Sequence, residues 1–253
     1  MKKNIKIAVI ATLLIVIAAA IAYATTMTTG EETEKLQVST VSIEKSTSLL
    51  NLLGSDTENL KTKVVYDELK NKDIYRIENS KYFIDMDTNN KLVGIHALKL
   101  STNLQESSFS QEEATDYIMA KYNELNLPSD YEFNYITKFD DLIWQANFEK
   151  NYGSFYNKYE SVKVFFIPDS DEIVALGVFY DAPKSTGVQI SQDEAIQTAS
   201  TKNNSEVVKA ELSVEKADDN NIYPSWVITY SDNEIIYVDA QSNEIIGGDT
   251  INE

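Results

Sequence analysis

One histidine and no cysteine limit the chemistry that this chain could perform. His96 is the single histidine among 253 residues. A zinc site or a Ser-His-Asp triad needs several such side chains that converge on one point. The sequence contains neither a His-x-x-x-His nor a Gly-x-Ser-x-Gly motif. We therefore expect His96 to be structural or simply exposed, and we predict no catalytic residue, no metal ligand and no cofactor.

One short segment has the residue types of a calcium site. Residues 85–89, Asp-Met-Asp-Thr-Asn, resemble the start of an EF-hand loop, which needs glycine at its sixth position and glutamate at its twelfth. Those positions hold Asn90 and His96 here. Asp and Asn are also typical of tight turns, and residues 169–171 and 239–243 occupy the same place later in the chain. The sequence therefore favours a turn.

Paired carboxylates could in principle perform acid–base catalysis. Glycosidases need two carboxyl groups that face each other across a cleft. The candidate pairs lie mostly in predicted turns or on solvent faces: Asp140 with Asp141, Asp218 with Asp219, and Glu211 with Glu215. A carboxylate-based hydrolase is therefore our third hypothesis for the function.

A group of aromatic residues is the best candidate for partner binding. It lies in a long connection between Phe148 and Phe165, whereas the matching connection later in the chain is only residues 231–235. The group consists of Tyr152, Phe155, Tyr156 and Tyr159. Aromatic side chains often dominate the binding energy of interfaces. The alternative is that they fold back over their own sheet or onto the neighbouring unit, and the sequence leaves both open.

The elements that would position these residues come from a repeated pattern. Residues 109–114, Phe-Ser-Gln-Glu-Glu-Ala, return as Ile-Ser-Gln-Asp-Glu-Ala at 190–195. Trp144 returns as Trp226, and the residues around 166–174 return around 237–246. These three features recur in the same order and at similar sequence separations, which indicates copies of a small module.

The last copy is the most regular. Its Ser191 and Glu194 form a capping box, which predicts a helix to about Lys202. Alternating apolar residues then predict strands at 207–215, 225–230, 235–239 and 244–247. The middle copy has the same order, with a helix from a capping box at 110–113 and strands at 131–138, 142–149, 159–167 and 172–180. In the first copy, Tyr75 takes the tryptophan position.

The N-terminus predicts export or anchoring. Three lysines precede residues 7–30, which carry no charge. Ala22-Tyr23-Ala24 fits a signal-peptide cleavage site, whereas residues 5–24, if uncleaved, are long enough to cross a bilayer. Both alternatives place the remaining chain outside the cytoplasm.

The chain is strongly acidic. Its formal net charge is −18. Such a surface repels nucleic acid and anionic membranes over distances up to about the Debye screening length. We therefore predict no nucleic-acid partner.

The final unit resembles the PepSY family. The resemblance rests on Trp226-Val227-Ile228 after a proline, on Tyr237 to Ala240, and on Asn243 to Ile246. It implies a helix packed on a curved antiparallel sheet, a location outside the cytoplasm, and inhibition or modulation of peptidases. Residues 101–183 are a more divergent relative, and residues 30–100 resemble the family mainly in their last hairpin.

These observations give a set of expectations for the whole chain. We predict an α+β fold, in which an N-terminal apolar helix is followed by PepSY-like repeats, each a helix on its own small sheet. The predicted bounds are 1–29 for the signal peptide or anchor and 30–100, 101–183 and 184–253 for the units. The predicted function is non-enzymatic binding that modulates or inhibits a peptidase or another envelope protein. The alternative is a membrane-anchored regulator of a sensor kinase.

Overall fold

The computed structural model describes residues 37–68, 71–101 and 106–250. The predicted N-terminal helix, with both of its interpretations as signal peptide or anchor, lies outside these ranges. Among the described residues, no helix is both long and apolar enough to cross a membrane.

The described chain contains three helices, each followed by four strands. The first group is α1 (Thr40–Leu52), β1 (Lys61–Asp67), β2 (Lys72–Glu78), β3 (Tyr82–Asp87) and β4 (Leu92–Ala97). The second is α2 (Gln111–Glu124), β5 (Tyr131–Lys138), β6 (Trp144–Asn151), β7 (Tyr156–Ile167) and β8 (Glu172–Tyr180). The third is α3 (Gln192–Ala199), β9 (Val207–Lys216), β10 (Ile222–Tyr230), β11 (Glu234–Asp239) and β12 (Ile245–Thr250).

The predicted fold class is wrong, because the described chain is mostly β and its strands form two antiparallel sheets. The larger sheet has eight strands in the order β1-β2-β3-β4-β8-β7-β6-β5, and the smaller has the order β12-β11-β10-β9. The first two units thus share one sheet, joined where β4 pairs with β8. An unpaired strand edge exposes backbone donors and acceptors, and this pairing satisfies two such edges at once.

The two predicted capping boxes are confirmed. In α2 the Ser110 hydroxyl accepts a hydrogen bond from the Glu113 amide, and the Glu113 carboxylate accepts one from the Ser110 amide. Ser191 and Glu194 make the same reciprocal pair at the start of α3. α3 ends at Ala199, three residues before the predicted end. Ser39 at the start of α1 makes no side-chain cap.

Each helix packs its apolar side against the sheet that follows it. Leu50 of α1 and Ile118 of α2 are buried on one face of the eight-stranded sheet, together with Ile84 and Phe148. Ala195 and Ala199 of α3 belong to a separate core with Ile228, Tyr230 and Val238. Burying one large apolar side chain contributes roughly 1.5–3 kcal/mol, so these contacts hold the helices in place.

The two tryptophans lie at matching places. Trp144 is opposite Phe166 and Trp226 is opposite Val238, each one strand before the final hairpin. Each indole N–H donates to the segment that leads into the unit's helix, at 3.3 Å to Ser107 Oγ and at 2.8 Å to the Ile190 carbonyl. Trp144 is buried, whereas Trp226 is only partly buried.

The final hairpin of each unit has the same geometry. Its turn ends in a left-handed residue, at Asn90, Asp171 and Asn243 with φ of 61°, 53° and 62°. In the first unit, the Asp87 carboxylate accepts hydrogen bonds from the backbone N–H groups of Asn89 and Lys91. The interpretation of this segment as a turn is therefore confirmed.

Candidate functional site

An apolar cleft lies on the helix side of the eight-stranded sheet, where the first two units meet. Its volume is about 420 Å³, within the usual range for ligand pockets. Its apolar lining comes from α1, from the β3–β4 hairpin and from the segment after α2: Leu49, Leu52, Met86, Leu92, Leu125, Leu127 and Pro128. The cleft therefore exists only because the two units share a sheet.

Hydrogen bonds fix both walls of the cleft. On the α1 side, Ser42 Oγ donates to Asn90 Oδ1 at 2.8 Å and Lys45 Nζ donates to the Asn90 carbonyl at 3.0 Å. On the α2 side, the Tyr122 hydroxyl donates to the Pro128 carbonyl at 2.6 Å. The α1 wall is thus attached to the β3–β4 turn, and the α2 wall is attached to the segment that leads into β5.

The rim of the cleft carries positive charge in an acidic protein. Lys45 and Lys91 are both exposed there, and Lys91 Nζ lies 5.1 Å from the centre of the Tyr180 ring. Burial, with help from the Asp87 carboxylate, raises the pKa of Tyr180 to about 12. Its neutral hydroxyl donates to the Leu92 carbonyl at 3.0 Å. The arrangement suits apolar side chains that have a carboxylate beside them.

The opposite face of the same sheet holds a stacked group of polar and aromatic side chains. Arg76 makes two 2.8 Å hydrogen bonds to the two carboxylate oxygens of Asp85. The guanidinium carbon lies 4.1 Å from the centre of the Phe83 ring, and that ring stacks on His96 at 4.6 Å. His96 is thus a packed structural residue. The sequence had left open whether it is structural or simply exposed.

The environment of His96 makes stability depend on pH. Burial lowers its pKa from 6.5, the nearby Asp85 opposes this change, and Arg76 adds to it. Below about pH 6.5 the unfolded chain therefore takes up a proton that the folded chain resists. We expect the free energy of unfolding to fall there, by at most about 1.4 kcal/mol per pH unit. Urea titrations between pH 7.5 and pH 5 should show a steeper fall for the native chain than for His96→Gln. Parallel profiles would contradict this.

The four aromatic residues predicted for partner binding are in different environments. Phe155 is 5% exposed and packs with Val214 and Ile222 of the four-stranded sheet, and Tyr152 and Tyr159 are partly buried in the same cluster. Tyr156 is 40% exposed. Three of the four therefore fold onto the neighbouring unit. Their contact with a partner stays a prediction, and Tyr156 is the member most open to one.

We call this contact between the two sheets the seam. It comprises Tyr152, Phe155, Lys158, Tyr159, Val188, Leu212, Val214, Glu215 and Ile222. An ion pair reinforces it. Lys158 Nζ lies 2.9 Å from the Glu215 carboxylate. Within the β6–β7 hairpin, the Tyr152 hydroxyl donates to Glu160 at 2.6 Å, which holds the Tyr152 side chain in place at the seam. One predicted acid–base candidate, Glu215, is thus part of an ion pair.

Asp219 and Glu149 also have structural surroundings. Asp219 accepts hydrogen bonds from Asn221 and Tyr223 in the β9–β10 turn. Glu149 is buried, which raises its pKa, and it accepts a hydrogen bond from Asn134 at 3.0 Å. Across the described ranges, no group of three or more His, Asp or Glu side chains is placed to hold a metal ion.

Sequence reasoning missed the cleft. Its walls come from residues 45–52, 86–92, 125–128 and Tyr180, which are far apart in the chain. A signal was present at the end of α1, where Leu49, Leu50, Leu52 and the following Leu53 form a wide apolar face. Leu50 and Leu53 are buried, whereas Leu49 and Leu52 remain partly exposed in the cleft.

Comparisons with solved structures give a structural likeness. No family model matches the chain, so the PepSY resemblance stays a resemblance. No curated protein matches it either. Among solved structures, the YpeB C-terminal domain of Bacillus megaterium is similar, with 14% identity and a TM-score of 0.49, over 86% of this chain and 99% of that one. A likeness of this degree transfers no activity or partner to the chain.

Proposed function

We propose that this protein is a non-enzymatic module that binds a protein outside the cytoplasm and modulates a peptidase or another envelope protein. The apolar cleft between the first two units carries the proposal. The location rests on the N-terminal sequence, whose basic start and uncharged segment are typical of export or anchoring.

The cleft suits a peptide segment with one or two large apolar side chains. Leu49, Leu52 and Leu127 offer apolar contact to such side chains. Lys45 and Lys91 at the rim favour a segment that carries a carboxylate next to its apolar residues. The remaining surface is acidic and repels other anionic partners at long range, so these two lysines also favour one orientation of the bound segment.

The experiment measures the effect of the full chain on a secreted thermolysin-like metalloprotease that cleaves a fluorogenic peptide. We expect the native chain to slow the cleavage. Leu52→Asp places an unpaired charge in the cleft and should weaken the effect about 30-fold, because removing one central interface contact costs about 2 kcal/mol.

Val41→Asp is the matched control, since Val41 lies on the same helix, is 47% exposed and does not line the cleft. It should inhibit as well as the native chain. If the native chain has no effect on the protease, the peptidase part of the proposal is wrong. If Val41→Asp and Leu52→Asp lose inhibition equally, the cleft is not the binding site.

A further inference from the structure

The strands that join the first two units occupy the same place in each unit. β4 follows the left-handed residue Asn90, and β8 follows the left-handed Asp171. The third residue after the left-handed residue forms a bulge in each strand. Val93 has no partner in β3, and Val174 has no partner in β7. Positions in the two strands can therefore be counted from the left-handed residue.

Counted in this way, the pairing of β4 with β8 is symmetric. The fourth residue after the left-handed residue of one strand lies opposite the sixth residue after that of the other. Gly94 thus lies opposite Gly177, and Ala175 lies opposite His96. The fifth residues, Ile95 and Leu176, face each other and are buried. A local two-fold axis thus passes between these two strands, and the register fits any two strands of this type.

β12 is the third strand of this type. It follows the left-handed Asn243, and its third residue, Ile246, is again the bulge. Gly247, Gly248 and Asp249 take the fourth to sixth positions. β12 is the last strand of its sheet, and no strand of the described chain pairs with its outer edge. Gly248 and Asp249 are exposed.

The other sheet edges carry features that oppose pairing. β1 has exposed lysines at 61 and 63. β5 has a bulge at Asn134 and β9 has one at Val208. Lysines and bulges at edges are the usual protection against strand addition. The bulge of β12 gives no such protection, because β4 and β8 have the same bulge and still pair.

We infer that β12 pairs antiparallel with β12 of a second copy of this chain, in the register that joins β4 to β8. Gly248 would face its counterpart, and Gly247 would face Asp249 of the second copy. A two-fold interface needs one surface that is complementary to itself, and this register has that property. The inference does not depend on the proposed function of the cleft.

The contacts of β12 leave these positions accessible. The Asp218 amide donates to the Ile246 carbonyl at 3.3 Å, so the β9–β10 turn covers the start of the strand. The three positions that would pair come after it. The Tyr237 hydroxyl of β11 donates to the Asp249 side chain at 2.5 Å, and this bond does not use the outer backbone edge of β12.

Charge sets the strength of this dimer. In the inferred register the two Asp249 side chains are diagonal neighbours on one face, about 7–8 Å apart, and like charges at such positions oppose pairing. Each copy also carries a net charge of −18. Added salt shortens the range of both repulsions, so the dimer should tighten as the ionic strength rises.

The test uses the full chain in one mild detergent, where the lack of native cysteine makes every introduced cysteine unique. Asp249→Cys should give a covalent dimer with a short bismaleimide. Thr250→Cys should not, because its copies would lie about 14 Å apart along the strands. Lys63→Cys, at the edge of β1, should also stay monomeric. Asp249→Asn should dimerise about two- to five-fold more tightly by sedimentation.

Several results would overturn the inference. The first is that the chain stays monomeric at its highest soluble concentration. The second is that a dimer forms but Asp249→Cys does not cross-link it. The third is that Asp249→Cys, Thr250→Cys and Lys63→Cys cross-link equally. Capture of a different protein by Asp249→Cys, without the copy-to-copy product, would also overturn it. Circular dichroism of each variant shows whether the fold has been kept.

Discussion

Replacement of Arg76 by alanine is expected to lower the free energy of unfolding by about 3–5 kcal/mol. The side chain of Asp85 is only 7% exposed and its two oxygens accept hydrogen bonds from Arg76. Removing the guanidinium leaves this carboxylate buried without its counter-charge. It also removes the stacking of Arg76 on Phe83. Urea unfolding followed by tryptophan fluorescence measures the loss.

The double variant Arg76→Met with Asp85→Leu separates the charge effect from the packing effect. Replacing a buried ion pair by apolar side chains of similar volume is often neutral, so the double variant should regain most of the lost stability. If Arg76→Ala costs less than about 1 kcal/mol, which is typical of an exposed pair, the pair does not hold the polar face of the sheet together.

Local patterns predicted the elements well, because they depend on neighbouring residues. The capping boxes at Ser110 and Ser191 located the starts of α2 and α3. Alternation of apolar and polar residues located strands such as β5, whose bounds of 131–138 agree with the structure. The turn at residues 87–90 followed from the hydrogen-bonding habits of Asp and Asn.

The way in which the units are joined could not be predicted in the same way. Alternation tells which side chains face a core, but the pairing of strand edges depends on backbone groups that every residue has. Gly94 was a weak signal, since a Cβ on it would lie 3.0 Å from the Leu176 carbonyl of β8. If β4 did not pair with β8, each of the first two units would have its own small sheet. That is the fold that we expected from the sequence.

The same limit explains why the aromatic connection was ambiguous. Tyr152, Phe155 and Tyr156 lie in one short segment, and no local pattern tells whether another unit covers them. The structure places Phe155 against Val214 and Ile222, which are about 60 residues further along the chain. Of the two alternatives that the sequence left open, folding onto the neighbouring unit therefore describes three of the four residues.

Phe155→Ala is expected to lower the free energy of unfolding by about 3 kcal/mol, because it removes a buried phenyl ring from the seam. The four-stranded sheet should then separate more readily from the eight-stranded sheet. Trypsin should cleave sooner at Lys184, an exposed residue in the segment that links the two sheets. Urea unfolding and timed proteolysis measure the two effects.

Tyr156→Ala is the matched control, because Tyr156 is the next residue and is 40% exposed. It should change the free energy of unfolding by no more than about 0.5 kcal/mol. If it weakens binding of a partner without loss of stability, the prediction that this hairpin contacts a partner gains support. Equal stability of Phe155→Ala and the native chain would mean that the seam does not hold the two sheets together.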